Sequence, residues 1–424
     1  MSQNSSDIDS STLEERALER LRGNVRSGYD RFYKRHYAYS APSPGRYIWQ
    51  WFWDACFHAV ALSRLDTEMA KKELRDLIAP QRKDGFIGHI TYWGWSGAVM
   101  SAVFMQGRLG EWRRRHSAMI QPPLLAQAIE AVHAHSGDQS FLTEMLPKAQ
   151  AYYDWLARER DAAGDGLISI ISPWESGLDN SPAFDEPLGL SNPSRMKVLL
   201  ALRKLDWFNM LRGGNFDFRT IVRRDRFVVI EPMVNAIYAD GLRSLARLHL
   251  AAGDETASLA ADARAARVEA SLNEHCWDQE RGQYVYLWGK DRRPITLLTA
   301  PSLFPVILQD TPRERVATVV ERHLVNKNEF WTHLPVPSVA ASEPTFDPEG
   351  ESLIWRGPVC MNLNWFLARG LRHHGFNAEA DHIVSRSLES VNKNGFREFY
   401  SPNLGRGMRG TQFGWATVVV DMVR

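Results

Sequence analysis

This chain has few cysteines, almost no net charge and no long apolar run, and each of these shortages argues against a class of protein. Its three cysteines lie far apart at positions 56, 276 and 360 of 424 residues, which favours reduced cytoplasmic thiols over a disulfide framework. The formal net charge is +1, so no field would attract nucleic acid or an anionic membrane. No apolar run reaches the length of a membrane span, and the polar first residues do not resemble a secretory signal.

Patterns typical of metal or cofactor binding are also missing. None of the 13 histidines stands in a His-Glu-x-x-His pattern, and the Asp- and Gly-rich stretch at 161–166 lacks the later ligands of a calcium loop. The one dense basic cluster, Arg113 to Arg115, is expected to be a solvated surface rather than a phosphate site. We therefore expect no metal, no cofactor, and no nucleic-acid or membrane partner, while the oligomeric state is not indicated.

Helical periodicity dominates the chain after a polar tail. Residues 1–11 are expected to be disordered, and no linker-like change of composition divides residues 12–424, which are expected to form one domain. Strand patterns are brief, at 167–171, 226–230 and 284–287. Apolar residues at three- and four-residue spacing predict helices over 13–21, 56–65, 67–78, 124–135, 141–158, 234–251, 256–276, 313–324, 361–373 and 378–392.

The order of these elements predicts the fold. Many helices of 10–20 residues, paired by short turns and accompanied by few strands, indicate an all-α protein. Long loops rich in Trp, Gly, Pro and acidic residues lie between alternate pairs, and such loops usually carry function. A ring of helical hairpins would gather them at one end, which predicts an (α/α)6 barrel with its site there. The loops cover residues 81–97, 172–193, 331–358 and 394–413.

Tryptophan is abundant, with 15 residues, and many of them stand beside polar groups. The runs WQWFWD at 49–54 and YWGW at 92–95 are examples. The flat apolar face and single N–H donor of an indole suit the faces of sugar rings, although aromatic residues can equally fill a large core. The composition makes carbohydrate a candidate ligand without deciding the question.

The run WESGLDNSP at 174–182 offers a candidate general acid. An apolar environment near Trp174 and the like charge of Glu175 would both disfavour ionisation of Asp179. A raised pKa is what the protonation of a glycosidic oxygen requires. The alternative interpretation is that Asp179 or Asn180 caps the helix that follows.

The run GFREFYSP at 395–402 offers a candidate general base. Glu398 stands among aromatic residues just after a predicted helix, where its carboxylate could hold an attacking water. The alternative interpretation is a surface ion pair with Arg397 or Arg406, which would contribute little to stability.

Five segments in order resemble glycoside hydrolase family 63, and they span residues 47 to 417. The nearest likeness is to its compact bacterial branch, which includes mannosylglycerate and glucosylglycerate hydrolases. The resemblance implies a single (α/α)6 barrel that hydrolyses a small α-glucoside or α-mannoside with inversion. The matching segments are WDACF at 53–57, QPP at 121–123, the run at 174–182, WRGPV at 355–359, and FREFYSP at 396–402 followed by FGW at 413–415.

The resemblance also implies roles for individual residues. The acid position of the family falls on Asp179 and the base position on Glu398, which are the two expected catalytic residues. Asp54 falls on a position that holds sugar hydroxyls in related barrels. With the aromatic run at 92–95 added, the residues expected to bind the glycoside are Trp53, Asp54, Tyr92, Trp93, Gln121, Trp174, Glu175, Asn180, Arg356 and Trp415.

Two departures from the family leave the substrate open. Family members usually carry tryptophan after Gly-Pro-Val, whereas this chain carries Cys360, which removes one stacking face. The stretch after Pro182 does not align with the loop that contacts glycerate in glycosylglycerate hydrolases. A short α-glucoside or trehalose is therefore an alternative substrate. A phosphorylase and a non-catalytic sugar-binding protein are alternative classes of function.

Overall fold

A computed structural model of the chain describes residues 10–94, 108–109, 115–350 and 353–423. Helices dominate this part of the chain. The α-helices are α1 Ser10–Gly23, α2 Phe52–Leu65, α3 Thr67–Ile78, α4 Leu125–Ser136, α5 Gln139–Arg160, α6 Arg195–Leu211, α7 Phe218–Arg224, α8 Pro232–Ala251, α9 Glu255–His275, α10 Arg313–Thr318, α11 Met361–His373 and α12 Asn377–Asn394. A π-helix, Val319–Leu324, continues α10, and 3-10 helices form Pro173–Ser176, Pro182–Phe184, Ala300–Ile307 and Gly414–Asp421.

Six helical segments close into an inner ring. Helix α2 packs on α4, α4 on α8, α8 on Ala300–Ile307, that segment on α11, α11 on Gly414–Asp421, and the last segment returns to α2. The outer layer consists of α1, α3, α5, α9, the α10 region and α12, each packed against an inner neighbour. The predicted (α/α)6 barrel is therefore confirmed.

Local sequence signals explain several helix boundaries. The side chain of Asp66 accepts a hydrogen bond from the backbone N–H of Met69 and so caps α3, and Asp254 caps α9 in the same way through Ala257. Helix α4 ends at Gly137, whose φ of 64° suits glycine because other residues are strained there. Pro232 occupies the first turn of α8, where its missing N–H costs no hydrogen bond.

Short antiparallel sheets join the helices within the described residues. The pairs are β1 Val25–Asp30 with β2 Arg35–Ser40, β3 Gln50–Trp51 with β4 Ile90–Thr91, and β6 Trp277–Asp278 with β7 Gln283–Tyr284. A three-stranded sheet has the order β5 Val229–Ile230, β8 Tyr286–Trp288, β9 Arg293–Ile295, and β10 Arg397–Tyr400 pairs with β11 Gly407–Thr411. The hairpins β1–β2 and β10–β11 were not predicted, because their alternation is interrupted by glycine and charged residues.

Three sequence expectations need correction or fall outside the described residues. The predicted strand at 167–171 forms only isolated bridges, from Ile168 to Asp161 and from Ile170 to Val229. Arg115 is not solvated: it is buried and forms an ion pair with Asp30. Its neighbours 113 and 114 lie outside the described residues. Of the tail expected to be disordered over 1–11, residues 1–9 also lie outside them, whereas Ser10 and Ser11 already belong to α1.

The largest of the three buried apolar clusters in the described residues extends from Leu13 to Met422 and lies between the two helical layers. The inner helices α2, α8 and α11 are buried over most of their length, as α2 shows with twelve buried residues in succession from Phe52 to Ser63. In the described part of the chain, no helix combines the length and apolar character needed to cross a bilayer.

Candidate active site

A cavity of about 560 Å³ opens at the end of the barrel where the inner helices begin. The first turn of α2, the entry to α4 and the start of Gly414–Asp421 all reach its wall. The side chains that surround it are three carboxylates, four arginines and a belt of aromatic residues. They include Asp54, Asp179, Glu398, Arg46, Arg195, Arg203, Arg409, Tyr47, Trp49, Trp51, Trp53, Tyr92, Trp174, Trp355, Phe413 and Trp415.

The loop that carries Asp179 is shaped by Gly177. This glycine has φ 76°, and a Cβ atom added to it would lie 2.7 Å from the ring of Trp53. The loop backbone therefore rests directly on the indole, which only glycine permits. The next helical turn, Pro182–Phe184, is capped by Ser181, so the alternative in which Asp179 or Asn180 serves as the cap does not occur.

Asp179 faces the cavity with both carboxyl oxygens engaged. The indole N–H of Trp355 donates to Oδ1 over 3.2 Å, and the side-chain amide of Asn180 lies 2.6 Å from Oδ2. Enclosure by protein raises the pKa of Asp179 to about 7, and the negative charge of Glu398 adds to the rise, while the Trp355 bond and Arg409 oppose it. A carboxyl that keeps its proton near neutral pH is suited to general acid catalysis.

Glu398 lies in β10 and projects into the same cavity, where its side chain is almost completely buried. The hydroxyl of Tyr47 donates to Oε1 over 3.0 Å, and the backbone N–H of Gly410 approaches Oε2 at 3.4 Å. Burial raises the pKa of Glu398, whereas Arg409, Arg46 and the Tyr47 bond lower it. These cations and donors favour the ionised form that a general base requires.

The surface ion pair considered for Glu398 is not formed. Arg397 donates to the backbone carbonyl of Asn394, and Arg406 pairs with Glu349. Within the described part of the chain, the cation that comes within 4 Å of Glu398 is Arg46, at 3.9 Å. The buried carboxylate is therefore available to the cavity.

Asp54 forms the third acidic wall of the cavity. It stands in the first turn of α2 and is 3% exposed, and its Oδ1 atom has no hydrogen-bond partner among the described residues. Burial raises the pKa of Asp54 to about 8, and the charge of Glu398 adds to the rise. A buried polar atom without a protein partner is costly unless a ligand or water satisfies it. Because Asp54 also lines the cavity, its carboxyl is a candidate for a hydrogen bond to a bound hydroxyl.

The structure brings most of the sequence-predicted residues into this one cavity. Asp179 and Glu398, 219 positions apart in the chain, both reach it. The predicted binding residues that also line it are Trp53, Asp54, Tyr92, Gln121, Trp174, Asn180 and Trp415. Trp95, the last residue of the aromatic run, lies outside the described residues.

Three predicted binding residues do not line the cavity. Trp93 stacks on Tyr37 with ring centroids 5.1 Å apart, and its indole donates to Gln50 over 2.7 Å, so it belongs to a separate buried aromatic cluster. Glu175 is fully buried in a bidentate pair with Arg160. Its charge is thereby neutralised, and the charge that raises the Asp179 pKa comes from Glu398.

Arg356 is the third of these corrections. Its guanidinium forms two hydrogen bonds, of 2.9 and 2.7 Å, with Asp185, and its side chain is 7% exposed. Arg356 therefore points behind the wall of the cavity, whereas its neighbour Trp355 occupies the wall itself. Of the two neighbours in the matched segment, Trp355 lines the cavity and the expected Arg356 does not.

Several wall residues escaped the sequence analysis. Tyr47 and Arg46 precede the tryptophan-rich run at 49–54, and Arg409 lies in strand β11, between Glu398 and Phe413 in the sequence. Arg409 has φ 53°, an uncommon conformation for a residue with a side chain. The proximity of these residues to matched segments was a usable signal, but their contacts with Glu398 depend on the closed barrel.

Cys360, which stands where the family usually has tryptophan, lies beneath the base strand. It is fully buried, and its Sγ atom is 3.6 Å from the carbonyl oxygen of Glu398. The aromatic wall on this side is instead made by Trp355 and Trp415, whose rings contact each other and the ring of Phe399 behind them. The three cysteines are all free and buried.

The described residues contain no group of three or more His, Cys, Asp or Glu side chains arranged to hold a metal ion. The three carboxylates of the cavity are instead associated with hydroxyl, indole, amide and guanidinium donors. The arrangement can protonate one atom of a ligand, activate a water and hydrogen-bond hydroxyl groups.

The sequence model of the mannosylglycerate hydrolase MGH1-like glycoside hydrolase domain matches residues 47–416. The chain belongs to this family. It is therefore a glycoside hydrolase, as the sequence predicted, and the family resemblance and inverting enzyme class stated above are confirmed.

Relatives of this glycoside hydrolase cover nearly all of the chain. A mannosylglycerate hydrolase of Thermus thermophilus is 30% identical over 90% of this chain and 95% of its own length. A glucosylglycerate hydrolase of Mycolicibacterium hassiacum is 23% identical over 89% and 92%. The crystal structure of a GH63 mannosylglycerate hydrolase from Thermus thermophilus with Tris and D-glycerate superposes with a TM-score of 0.83 at 28% identity, covering 97% of this chain and 99% of that one.

Proposed function

We propose that this enzyme hydrolyses a small α-mannoside or α-glucoside of glyceric acid, with Asp179 as general acid and Glu398 as general base. The observation that carries this proposal is one cavity that combines an acid–base pair of carboxyls with a cluster of arginines. The first feature serves the cleavage of a glycosidic bond, and the second serves recognition of an anionic aglycone.

In the proposed reaction, Asp179 gives its proton to the glycosidic oxygen as the bond to the anomeric carbon breaks. Glu398 accepts a proton from the water that attacks the opposite face of that carbon, so the sugar is released with inverted configuration. Tyr47 and Gly410 hold the two oxygens of Glu398, which fixes the direction of the base. Trp355 and Asn180 do the same for Asp179.

Asp54 is proposed to bind the sugar. Asp54 lines the cavity together with Trp53 and Trp415, whose rings provide apolar surface, and its buried Oδ1 has no hydrogen-bond partner among the described residues. A sugar that lacks the matching hydroxyl leaves such a buried polar atom without a hydrogen bond. This contact therefore discriminates between sugars more strongly than apolar packing does. Because Asp54 retains a proton to about pH 8, it can donate as well as accept a hydrogen bond.

The arginines are proposed to bind the carboxylate of the aglycone. Arg46 and Arg195 lie close enough to Arg409 for their charges to act on it, and the described residues provide no salt-bridge partner for Arg195 or Arg409. Like charges brought together at a cavity wall favour an anionic ligand. A neutral disaccharide such as trehalose would leave this charge uncompensated, which favours glyceric acid glycosides over the trehalase-like alternative.

The relatives support the same substrate class. Two of them are named for the hydrolysis of mannosylglycerate and glucosylglycerate, and one solved relative holds D-glycerate. Yeast neutral trehalase superposes with a TM-score of 0.62 at 15% identity, which supports the barrel fold alone.

The test is a substrate panel with product analysis. Purified enzyme should release sugar from mannosylglycerate or glucosylglycerate at a rate at least about tenfold above trehalose, kojibiose, nigerose and glucosylglycerol, because hydrogen bonds to charged groups are the stronger ones. Proton NMR during early turnover should show the anomer opposite to that of the substrate. Equal rates on neutral substrates would exclude the proposed aglycone, and release of the retained anomer would exclude the proposed roles.

We also propose that the enzyme works in the cytoplasm, with a small glycoside as its partner rather than nucleic acid or a membrane. The three free buried cysteines and the net charge of +1 support this location and these partners. Residues 12–424 are proposed to form a single domain, which the continuous apolar cluster from Leu13 to Met422 supports.

A further inference from the structure

Both ends of the loop that carries Asp179 are bound by an arginine–carboxylate pair behind the cavity wall. At the start, Arg160 forms hydrogen bonds of 3.0 and 2.6 Å with the two oxygens of Glu175. At the end, Arg356 forms bonds of 2.9 and 2.7 Å with the two oxygens of Asp185. Each pair is bidentate, a geometry that fixes direction as well as distance.

The first pair connects the acid loop to the residues that face the sugar. Glu175 also accepts from the backbone N–H groups of Ile120, at 2.9 Å, and Ile171, at 2.8 Å. Ile120 precedes Gln121, whose side-chain oxygen accepts from the backbone N–H of Trp53 over 3.1 Å. Two hydrogen bonds, joined by the peptide link between Ile120 and Gln121, thus connect Glu175 to the first turn of α2, which bears Asp54.

The second pair encloses the acid itself. Arg356 directly follows Trp355, whose indole donates to Oδ1 of Asp179, and Asp185 lies six residues beyond Asp179 on the same loop. The hydrogen bond from Trp355 to Asp179 and the ion pair between Arg356 and Asp185 therefore join the segment at 355–356 to the acid loop at two points. Any rotation of the turn at 355–357 would withdraw the indole from Asp179.

We propose that these are two positioning pairs with separate tasks, Arg160–Glu175 aligning the acid loop with Asp54, and Arg356–Asp185 holding the indole of Trp355 on Asp179. The inference rests on the proposed function, since it takes Asp179 as the acid. It replaces the sequence prediction that Glu175 and Arg356 bind substrate.

The burial of the first pair supports a geometric task. Arg160 and Glu175 have side-chain exposures of 2% and 0%, and two such charges give little net stability once their loss of hydration is counted. The fork of the guanidinium, however, matches a carboxylate in one orientation, which lysine cannot reproduce. A catalytic group must be held to a fraction of an ångström, because a misplacement of about 1 Å can cost about a hundredfold in rate.

The experiment compares the two pairs by pH-dependent kinetics on mannosylglycerate or glucosylglycerate, whichever is turned over. Glu175→Gln keeps an acceptor for the N–H of Ile120, and the double variant Arg160→Met with Glu175→Gln also removes the buried unpaired cation that could prevent folding. In both variants we expect kcat to fall about 10- to 100-fold, while KM and the alkaline limb of the pH profile stay unchanged.

Arg356→Lys should behave differently. Loss of the indole bond removes a donor from the ionised form of Asp179, so its pKa rises and the alkaline limb moves up by about one to two pH units. Trp355→Phe, which removes the donor directly, should reproduce that shift. The matched control is Arg247→Gln, which breaks a bidentate pair with Glu130 on the surface and should change neither kcat nor the pH profile.

Several results would overturn the proposal. If KM alone rose in Glu175→Gln or in Arg356→Lys, the substituted residue would contact the substrate. If the alkaline limb shifted in the double variant, Glu175 would act on Asp179 through its charge. An activity loss fully accounted for by the unfolded fraction in a thermal melt would mean a purely structural role. If Asp179→Asn kept its activity, the acid assignment itself would fail, whereas an inactive Asp179→Asn with wild-type behaviour in the Glu175 and Arg356 variants would reject only the positioning pairs.

Discussion

The hydroxyl of Tyr47 donates a hydrogen bond of 3.0 Å to Oε1 of Glu398, a residue 351 positions later in the chain. The other oxygen of Glu398 faces the backbone N–H of Gly410 at 3.4 Å and Arg46 at 3.9 Å. Segments from the two ends of the sequence therefore hold the candidate base from both sides. This contact depends on closure of the barrel, because only closure brings the segment before α2 next to β10.

Tyr47→Phe should weaken the base without removing it. The hydroxyl donates to the ionised carboxylate and so lowers the pKa of Glu398, which means that its loss raises that pKa. We expect kcat to fall about tenfold and the acidic limb of the pH profile to move to higher pH, since one hydrogen bond to a charged group is lost. Tyr29→Phe, at an exposed tyrosine, is the control. An unchanged acidic limb would show that the hydroxyl does not act on the base.

Asp179→Asn and Glu398→Gln should each nearly abolish turnover while the protein stays folded. Loss of a general acid or base costs about 10²- to 10⁴-fold in rate. The measurement is kcat on the active glycoside together with a circular-dichroism melt of each variant. Asp381→Asn and Glu389→Gln, two exposed surface carboxylates, are the matched controls and should keep wild-type activity. Near-full activity in either cavity variant would refute that residue's role.

The dependence of kcat/KM on pH should be bell-shaped, with the alkaline limb at about pH 7. Asp179 must be protonated, and its pKa is raised to about 7, so kcat/KM should fall as the pH rises above about 7. Glu398 must be ionised, and its pKa is raised by burial, so the acidic limb should lie above the ordinary value for glutamate. The check is kcat/KM across the range from acidic to alkaline pH in buffers of constant ionic strength. A rate that keeps rising well into the alkaline range would contradict the assignment of the acid.

Much of this fold could be predicted from the sequence. The inner helices α2, α4, α8 and α11 are rich in apolar residues, and the predicted bounds of α11 coincide with those observed. Segments Ala300–Ile307 and Gly414–Asp421 complete the ring as 3-10 helices, and neither was predicted. The first contains Pro301 and Pro305, which interrupt an α-helical pattern, so their place in the barrel follows from tertiary packing.

The site was predicted less completely than the fold, for a physical reason. Asp179, Glu398 and Asp54 lie in recognisable segments, but sequence does not show which neighbour of a buried turn faces the cavity. Trp355 faces inward and Arg356 outward because Asp185 neutralises the guanidinium. From the sequence, Glu175 is expected to be an unpaired charge. Its partner Arg160 is the last residue of α5, and an arginine at a helix end is expected to be exposed to solvent rather than buried in an ion pair.

Arg409→Met should separate anionic from neutral substrates. If Arg409 binds the carboxylate of the aglycone, KM for the glyceric acid glycoside should rise about 10- to 100-fold, the worth of a charged hydrogen bond. Arg409 also lowers the pKa of Glu398, an effect common to all substrates. The quantity to measure is therefore the ratio of kcat/KM between the anionic glycoside and a neutral one such as glucosylglycerol. A ratio unchanged from wild type would exclude the contact.

Asp179→Asn should stabilise the folded protein at high pH. The pKa of this carboxyl is raised in the folded state, so its stability contribution is fully present below the ordinary pKa and is lost as pH rises through about 7. Above that pH the folded protein holds a charge in an unfavourable place, which asparagine does not carry. A shift of about three units corresponds to at most about 4 kcal/mol, and relaxation around the cavity will reduce it. Thermal unfolding of both proteins, once well below and once well above that pKa, should show a higher Tm for the variant only at the alkaline pH. Asp381→Asn should show no such difference, and equal melting of Asp179→Asn and wild type under both conditions would mean that Asp179 titrates normally.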